Sequence, residues 1–415
     1  MIKTLDAMPH KTVLSGLCRR RASAPKVLTF AALLLLPMLA CQAAKAQTYS
    51  VVHSFAGTPS DGSDPTAGLS FDAQGNLYGT TYTGGTAGFG TVFKIDTTGK
   101  EAVLHSFAGL GGGDGANPYA GLTLDAQANL YGTTANGGDG ACRKGGCGIV
   151  FKVDTAGNET VMYSFRLAGL DGAFPRADLL LDAQGNLYGT TFRGGAHGTG
   201  TVFTVDTIGN ETALFSFNEF SGVGDSPHAG LVWDAQGSLY GTTELGGCRC
   251  QSGAGTIFKV DTAGNEAVLY RFGGSPDGAN PLARLVLDAQ GNLYGTTWRG
   301  GADGDGTVFK LDTSGNEAVL YNFTGKSGLA PYGDLVLDAA GNLYGTTTRG
   351  GAHSLGTVFK VDAFGNETVL HSFTGKNGDG AVPYAGLVID AQDNLYGTTS
   401  RGGADGLGTV FKLTP

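Results

Sequence analysis

Leu77-Tyr78-Gly79-Thr80-Thr81 returns as an identical pentapeptide starting at Leu130, Leu187, Leu239, Leu293, Leu343 and Leu395. The intervals between copies are 53, 57, 52, 54, 50 and 52 residues. A period near fifty with several short strands per unit marks a repeat architecture, in which each unit buries its apolar faces against its neighbours.

Residues 119–165 show one unit in full. The segment 120–124 alternates apolar with small or polar residues, and Asp125-Ala126-Gln127-Ala128-Asn129 turns the chain into the strand 130–134. A Gly-rich loop leads to a third strand over 148–153, and Asp154-Thr155-Ala156-Gly157-Asn158 turns into a fourth over 159–165. Period-2 patterning, β-branched and aromatic residues, and Gly/Asn/Asp boundaries specify strands. The unit reads as a four-stranded antiparallel meander. In the turns, Asp can hydrogen-bond forward to the backbone and Gly supplies the positive φ of a tight hairpin. Gly75, Gly185, Gly237, Gly291 and Gly341 hold that place in the first turn type, with Ala128 and Asp393 as the exceptions. The glycine of Leu-Tyr-Gly-Thr-Thr reads as a point of close approach by an adjacent sheet.

Strand counting decides closure. The segment 49–55 matches the fourth strand elsewhere, for example 367–373, while the sequence ends on a third strand over 408–413. The strand missing from the last unit therefore stands at the other end of the chain. Pairing of the two ends closes a ring, whereas an open solenoid would show capping repeats. The fold predicted is an all-β, seven-bladed β-propeller of four-stranded antiparallel blades. Leu-Tyr-Gly-Thr-Thr, the Gly-Gly pairs and Gly90-Thr91-Val92-Phe93-Lys94 with its copies resemble the GloVer tandem-repeat family of exported bacterial proteins. The resemblance covers 47–415 and implies no catalytic residues. Members carry assorted anchoring or sorting tails, whereas this sequence stops at Pro415 with none, a departure that puts a C-terminal anchor in doubt.

The first 46 residues differ from the rest. Arg19, Arg20, Arg21 and Lys26 precede an apolar run over 27–36, and Ala44-Lys45-Ala46 supplies a small-x-small cleavage pattern. This predicts a signal peptide over 1–46 and one propeller domain over 47–415. Met38-Leu39-Ala40-Cys41 is lipobox-like, which makes lipid anchoring at Cys41 the minor alternative, and Met8 offers a second start. The expected location is periplasmic or extracellular, without a membrane span in the mature chain.

The segment 47–415 holds 20 Lys/Arg against 35 Asp/Glu, a net charge of −15. No basic patch survives, which argues against nucleic acid as a partner. Hydrophobic residues make up 41 %, and the 72 glycines follow no Gly-X-Y period, so neither disorder nor collagen fits. Cys142 and Cys147 share one loop and Cys248 and Cys250 another; in an exported chain each pair is expected to form a local disulfide. A zinc site built from all four would require two non-adjacent blades to meet. Asp303-Gly304-Asp305-Gly306 reads as a Gly-rich turn rather than a calcium loop. No metal or cofactor is expected.

The short Asp/Gly/Asn turns lie at one end of every blade. The longer second-to-third loops and the links between blades lie at the other, where function concentrates. Each link ends in Pro, and the next residue is Thr66, Tyr119, Arg176, His228, Leu282, Tyr332 or Tyr384. That position borders the channel mouth, so Tyr119, Arg176, His228, Tyr332 and Tyr384 are the first candidate binding ring. The alternative is that each Tyr packs on its neighbouring Pro. Arg193, Arg299, Arg349 and Arg401, each preceding Gly-Gly, form a second ring suited to carboxylate or sulfate groups. Its alternative is pairing with Asp277 and Asp379. His53, His105 and His371 occupy a strand position filled elsewhere by Tyr163, Phe215, Tyr270 and Tyr321, and read as structural; His197 and His228 flank one blade and could approach each other. The function expected is a monomeric, exported, non-catalytic protein binding a glycan, peptide or envelope protein. A propeller-type lyase or hydrolase acting at the channel mouth is the alternative.

Overall fold

The computed structural model describes residues 47–109, 113–140, 142, 145–247 and 253–414. The signal peptide expected over 1–46, with Cys41, and the pair Cys248/Cys250 lie outside the described residues.

The described residues fold into seven antiparallel four-stranded blades. Blade 1 runs through Ser70–Phe71, Leu77–Thr81, Thr91–Ile95 and Glu101–Ser106, and blades 2 to 6 repeat this order. Blade 7 combines Val388–Ile389, Leu395–Thr399 and Thr409–Thr414 with the N-terminal strand Thr48–Ser54. The register Tyr49↔Leu413 and Val51↔Phe411 closes the ring as the strand count required. Among the described residues no helix is long and apolar enough to cross a membrane.

The turns form for the reason the sequence implied. Asp72 Oδ1 accepts from the amides of Gln74 and Asn76, both at 2.9 Å, and Oδ2 accepts from Asn76 Nδ2 and the Tyr78 hydroxyl. Gly75 sits at φ 84°, and the exceptions Ala128 and Asp393 are held at 62° and 63°.

The core lies between blades. Phe55, Leu69, Leu77, Phe93, Ile95 and Val410 form one buried cluster that joins blade 7 to blade 1, and six similar clusters complete the circuit. Each junction carries one edge-to-face phenylalanine pair, from Phe55–Phe93 at 5.1 Å round to Phe373–Phe411 at 5.3 Å. Each buried ring contributes about 1.5–3 kcal/mol through burial, and such a pair adds about 0.5–1.5 kcal/mol. The phenylalanine pairs form only where two blades meet.

The motif glycine has a different role from the one expected. A Cβ on Gly79 would stand 2.6 Å from Phe93 Cζ and 3.0 Å from Leu69 Cδ2, both in its own blade. Phe93 lies directly across the ladder from Gly79 and folds over it, so the missing side chain makes room within the sheet. Close approach between blades falls instead to Gly90 and its equivalents. A Cβ on Gly90 (φ 103°) would meet Pro118 of the next link at 2.7 Å, and one on Gly408 would meet Pro65 at 2.5 Å. The first threonine of the motif joins blades directly: Thr80 Oγ1 donates to Ala120 O at 2.8 Å and Thr398 Oγ1 to Ala67 O at 3.0 Å.

The innermost strand is shorter than its sequence pattern suggests, pairing only over Thr123–Leu124 in blade 2. Its earlier residues bond around the ring instead. Gly121 N donates to Asp178 Oδ1 of blade 3, and the Ala120 carbonyl serves Thr80 of blade 1.

Candidate functional site

Every link holds the residue before its proline in the left-handed region: Asp64, Asn117, Phe174, Ser226, Asn280, Ala330 and Val382, with φ from 52° to 57°. Their amides bond back to the preceding blade, for instance Asn117 N to Phe89 O and Val382 N to Leu355 O, both at 2.8 Å. This repeated kink and the fixed φ of proline turn the next residue toward the axis.

There the first ring converges on itself. The Tyr119 and Tyr332 hydroxyls stand 2.7 Å apart, and the Tyr332 hydroxyl lies 2.9 Å from His228 Nε2. The His228 ring packs edge-on against Tyr119 and Tyr332, and Tyr384 packs edge-on against Tyr332 at 5.3 Å. These tyrosines pack on one another and on His228, while the prolines that precede them, Pro118, Pro331 and Pro383, rest against Gly90, Gly306 and Gly356. Burial above all, with the Arg176 charge, pushes the His228 pKa down to about 3, so its imidazole is neutral. Burial likewise raises the phenols of Tyr119 and Tyr332. His197 is exposed in its own loop, while His228 packs against Tyr119, Tyr332 and Phe192.

Below this plug lies a feature that the sequence reading missed. Two residues after the mouth position stand Asp178, Arg284 and Asp334, and blades 1, 2, 4 and 7 have Gly68, Gly121, Gly230 and Gly386 there. Arg284 Nε lies 3.4 Å from Asp334 Oδ2, and Asp334 Oδ1 accepts from the Arg284 amide at 2.7 Å. Burial opposes the Arg284 charge, but Asp334 and then Asp178 outweigh it and leave its pKa raised. A Cβ on Gly386 would stand 2.7 Å from Asp334 Cβ, and one on Gly230 3.3 Å from Arg284 Cδ. The glycines thus make room for the charges, and a Gly-or-charged alternation at one repeat position was the available signal. Between plug and belt remains a cavity of about 60 Å³. Ligand pockets run to about 300–1,000 Å³, so this space suits a few waters rather than a ligand.

Around the mouth, aromatic and cationic side chains stack. Arg176 and Arg193 both lie over the Phe192 ring, 3.9 and 4.7 Å from its centroid, and Arg299 lies 4.1 Å from that of Trp298. Half-buried Glu244 sits between them: burial raises its pKa, and Arg176, Arg193 and Arg299 oppose the rise. The second ring is only partly assembled by the fold. Arg193 and Arg299 share this arc over blades 3 to 5, whereas Arg349 and Arg401 project from blades 6 and 7. No ion pair among the described residues includes any of the four; Asp277 and Asp379 instead accept from Tyr270 and His371 and from local amides. Cys142 and Cys147 are bridged in the blade 2 loop with Cα atoms 5.1 Å apart, and Cys147 O anchors the Phe174 amide.

Fold and site together define a seven-bladed β-propeller of tandem repeats with a side-chain plug across its channel. The Gloeobacter/Verrucomicrobia repeat matches residues 41–252, 140–297 and 249–415, and the chain belongs to that family. No curated protein is significantly similar to it. Among solved structures it is similar to the extracellular domain described as a hybrid two component system, BT4673, of B. thetaiotaomicron. That match has 12% identity and a TM-score of 0.57 over 88% of this chain and 39% of that one. It is also similar to a puromycin hydrolase, with 14% identity and a TM-score of 0.47 over 79% of this chain and 48% of that one. A gluconolactonase of Xanthomonas campestris matches with 15% identity and a TM-score of 0.42 over 88% and 89% of the two chains. At such identities the BT4673 likeness concerns fold alone, and this chain spans about two fifths of that protein's length (39%).

Proposed function

We propose that this is an exported binding protein whose propeller, over 47–415, presents its ligand site on the link face above the closed channel. The observation that carries the reading is the arc of Arg176, Phe192 and Arg193 beside Trp298 and Arg299. Aromatic faces suit the apolar faces of sugar rings, and guanidiniums suit carboxylate or sulfate substituents. The ligand class is therefore an acidic glycan. The alternative of a lyase or hydrolase draws less support, because Tyr119, Tyr332 and His228 satisfy one another and the cavity beneath them is about 60 Å³. Export rests on the leader-like segment 1–46.

The test is an array of acidic and neutral glycans probed with the wild type and two double variants. Arg193→Ala/Arg299→Ala is expected to abolish binding to acidic glycans, and Arg349→Ala/Arg401→Ala to change it little. Equal binding by all three proteins would remove the arc from consideration.

A further inference from the structure

At six of the seven places where outer strands meet, a glutamate oxygen is buried without a partner. Glu101, Glu159, Glu211, Glu266, Glu317 and Glu367 each open an outer strand, and in every one Oε1 is buried and has no hydrogen bond. The side chain supplied by the preceding blade differs between junctions. Where it is tyrosine, the phenol serves a carboxylate: Tyr321 donates to Glu367 at 3.4 Å and Tyr270 to Asp277 at 3.0 Å. At three junctions it is histidine, and at the two on either side of blade 1, those of His53 and His105, it faces such a glutamate. His53, Asp61 and Glu101 place one nitrogen and two carboxylate oxygens within 4.8 Å of one another, and His105, Asp114 and Glu159 do the same.

We propose that these two junctions are metal sites, each binding one divalent transition ion through histidine Nε2, aspartate and glutamate. One imidazole with two carboxylates matches the donor preference of Zn²⁺ or Mn²⁺. At metal–ligand distances of about 2.0–2.2 Å, two ligand atoms on one ion stand roughly 3–3.5 Å apart. His53 Nε2 to Asp61 Oδ2 is already 3.3 Å, and His105 Nε2 to Asp114 Oδ1 is 3.6 Å. His105 Nε2 itself has no hydrogen-bond partner. Asp61 is oriented by the amides of Ala56 and Gly62 at 2.8 and 2.6 Å, and Asp114 by those of Ala108 and Gly115, both at 2.6 Å. The glutamate has to swing inward, and its Oε1 has no hydrogen bond to break. Each histidine side chain is 19 % exposed, whereas His105 Nε2 and the Oε1 atoms of Glu101 and Glu159 are themselves buried. The junction of His371 and Asp379 is an internal control. There Tyr49 takes the place of the glutamate and stacks on His371 at 3.9 Å, so the third ligand is missing.

The experiment measures uptake of Zn²⁺, and separately Mn²⁺, by the purified chain after chelator treatment, using titration calorimetry and elemental analysis. The variants are His53→Tyr and His105→Tyr, which copy the residue of other junctions and so preserve the fold, and their combination. Two equivalents in the wild type, one in each single variant and none in the double variant are expected. Failure of the wild type to take up metal, or retention of two equivalents by the double variant, would overturn the proposal. Glu101→Gln with Glu159→Gln gives the same reading through a second ligand and is expected to weaken uptake at least tenfold.

Discussion

The hydroxyls of Tyr119 and Tyr332 meet at 2.7 Å across the propeller axis, joining blades whose contacting residues are 213 positions apart. With His228 as the third member, they hold the mouth shut and bind three blades to one another.

Removing the central hydroxyl should be the more costly change. Tyr332→Phe leaves both the Tyr119 hydroxyl and buried His228 Nε2 without their partner, and is expected to destabilise by about 1–3 kcal/mol. Tyr119→Phe leaves the Tyr332–His228 bond intact and should cost about 0.5–1.5 kcal/mol. Urea denaturation of the two variants checks the order; equal losses would mean that His228 does not depend on Tyr332.

Gly79→Ala should be destabilising through its own blade. The new methyl would lie 2.6 Å from Phe93 Cζ, and overpacking of this kind costs about 1–3 kcal/mol. Combining it with Phe93→Leu should cost less than the two single changes added together. A simple sum in the double-mutant cycle would place the conflict elsewhere.

Val382 carries a β-branched side chain at φ 57°, a conformation that Asn117 and Asn280 hold at the same place in other links. Val382→Asn is expected to raise stability by about 1 kcal/mol, because asparagine tolerates the left-handed region. Ala128→Gly, at φ 62°, should gain about as much. Thermal unfolding of each variant decides the matter, and an unchanged midpoint would refute it.

Buried glutamates should make stability fall as pH rises toward neutrality, outweighing buried His228, whose lowered pKa acts in the opposite direction. Burial pushes the carboxyls of Glu211, Glu266 and Glu317 up from the ordinary 4.5 to about 7. Asp171 reinforces the shift at Glu211 and Asp277 at Glu317, while Arg271 opposes it at Glu266 and the Tyr270 phenol at Glu317. Between those pH values the folded chain holds protons that the unfolded chain has released. The contribution is therefore full below about 4.5 and lost as pH passes through 7. Melting midpoints from pH 4.5 to 8, in chelator, should decline, and Glu211→Gln/Glu266→Gln/Glu317→Gln should flatten the slope. A wild-type midpoint rising over that range would contradict the assignment.

The turns and the blade count were legible in the sequence because each is a local pattern repeated along the chain, and ring closure followed from the strand left over at each end. Asp72 bonds to amides two and four residues ahead, and Tyr49 pairs with Leu413 because their strands repeat a pattern seen intact elsewhere. The repeat says nothing about positions that vary between blades. Whether Tyr119 meets a proline, a ligand or Tyr332 depends on how wide seven blades leave the channel, and packing around the whole ring sets that width. The tertiary structure alone decided the plug, the Asp178–Arg284–Asp334 belt and the reach of Phe93 over Gly79. It also brought the His53–Asp61 pair, eight residues apart, onto Glu101 of the next blade. Local hydrogen bonding and periodicity specify the blade; contacts between distant variable side chains exist only once the ring has closed.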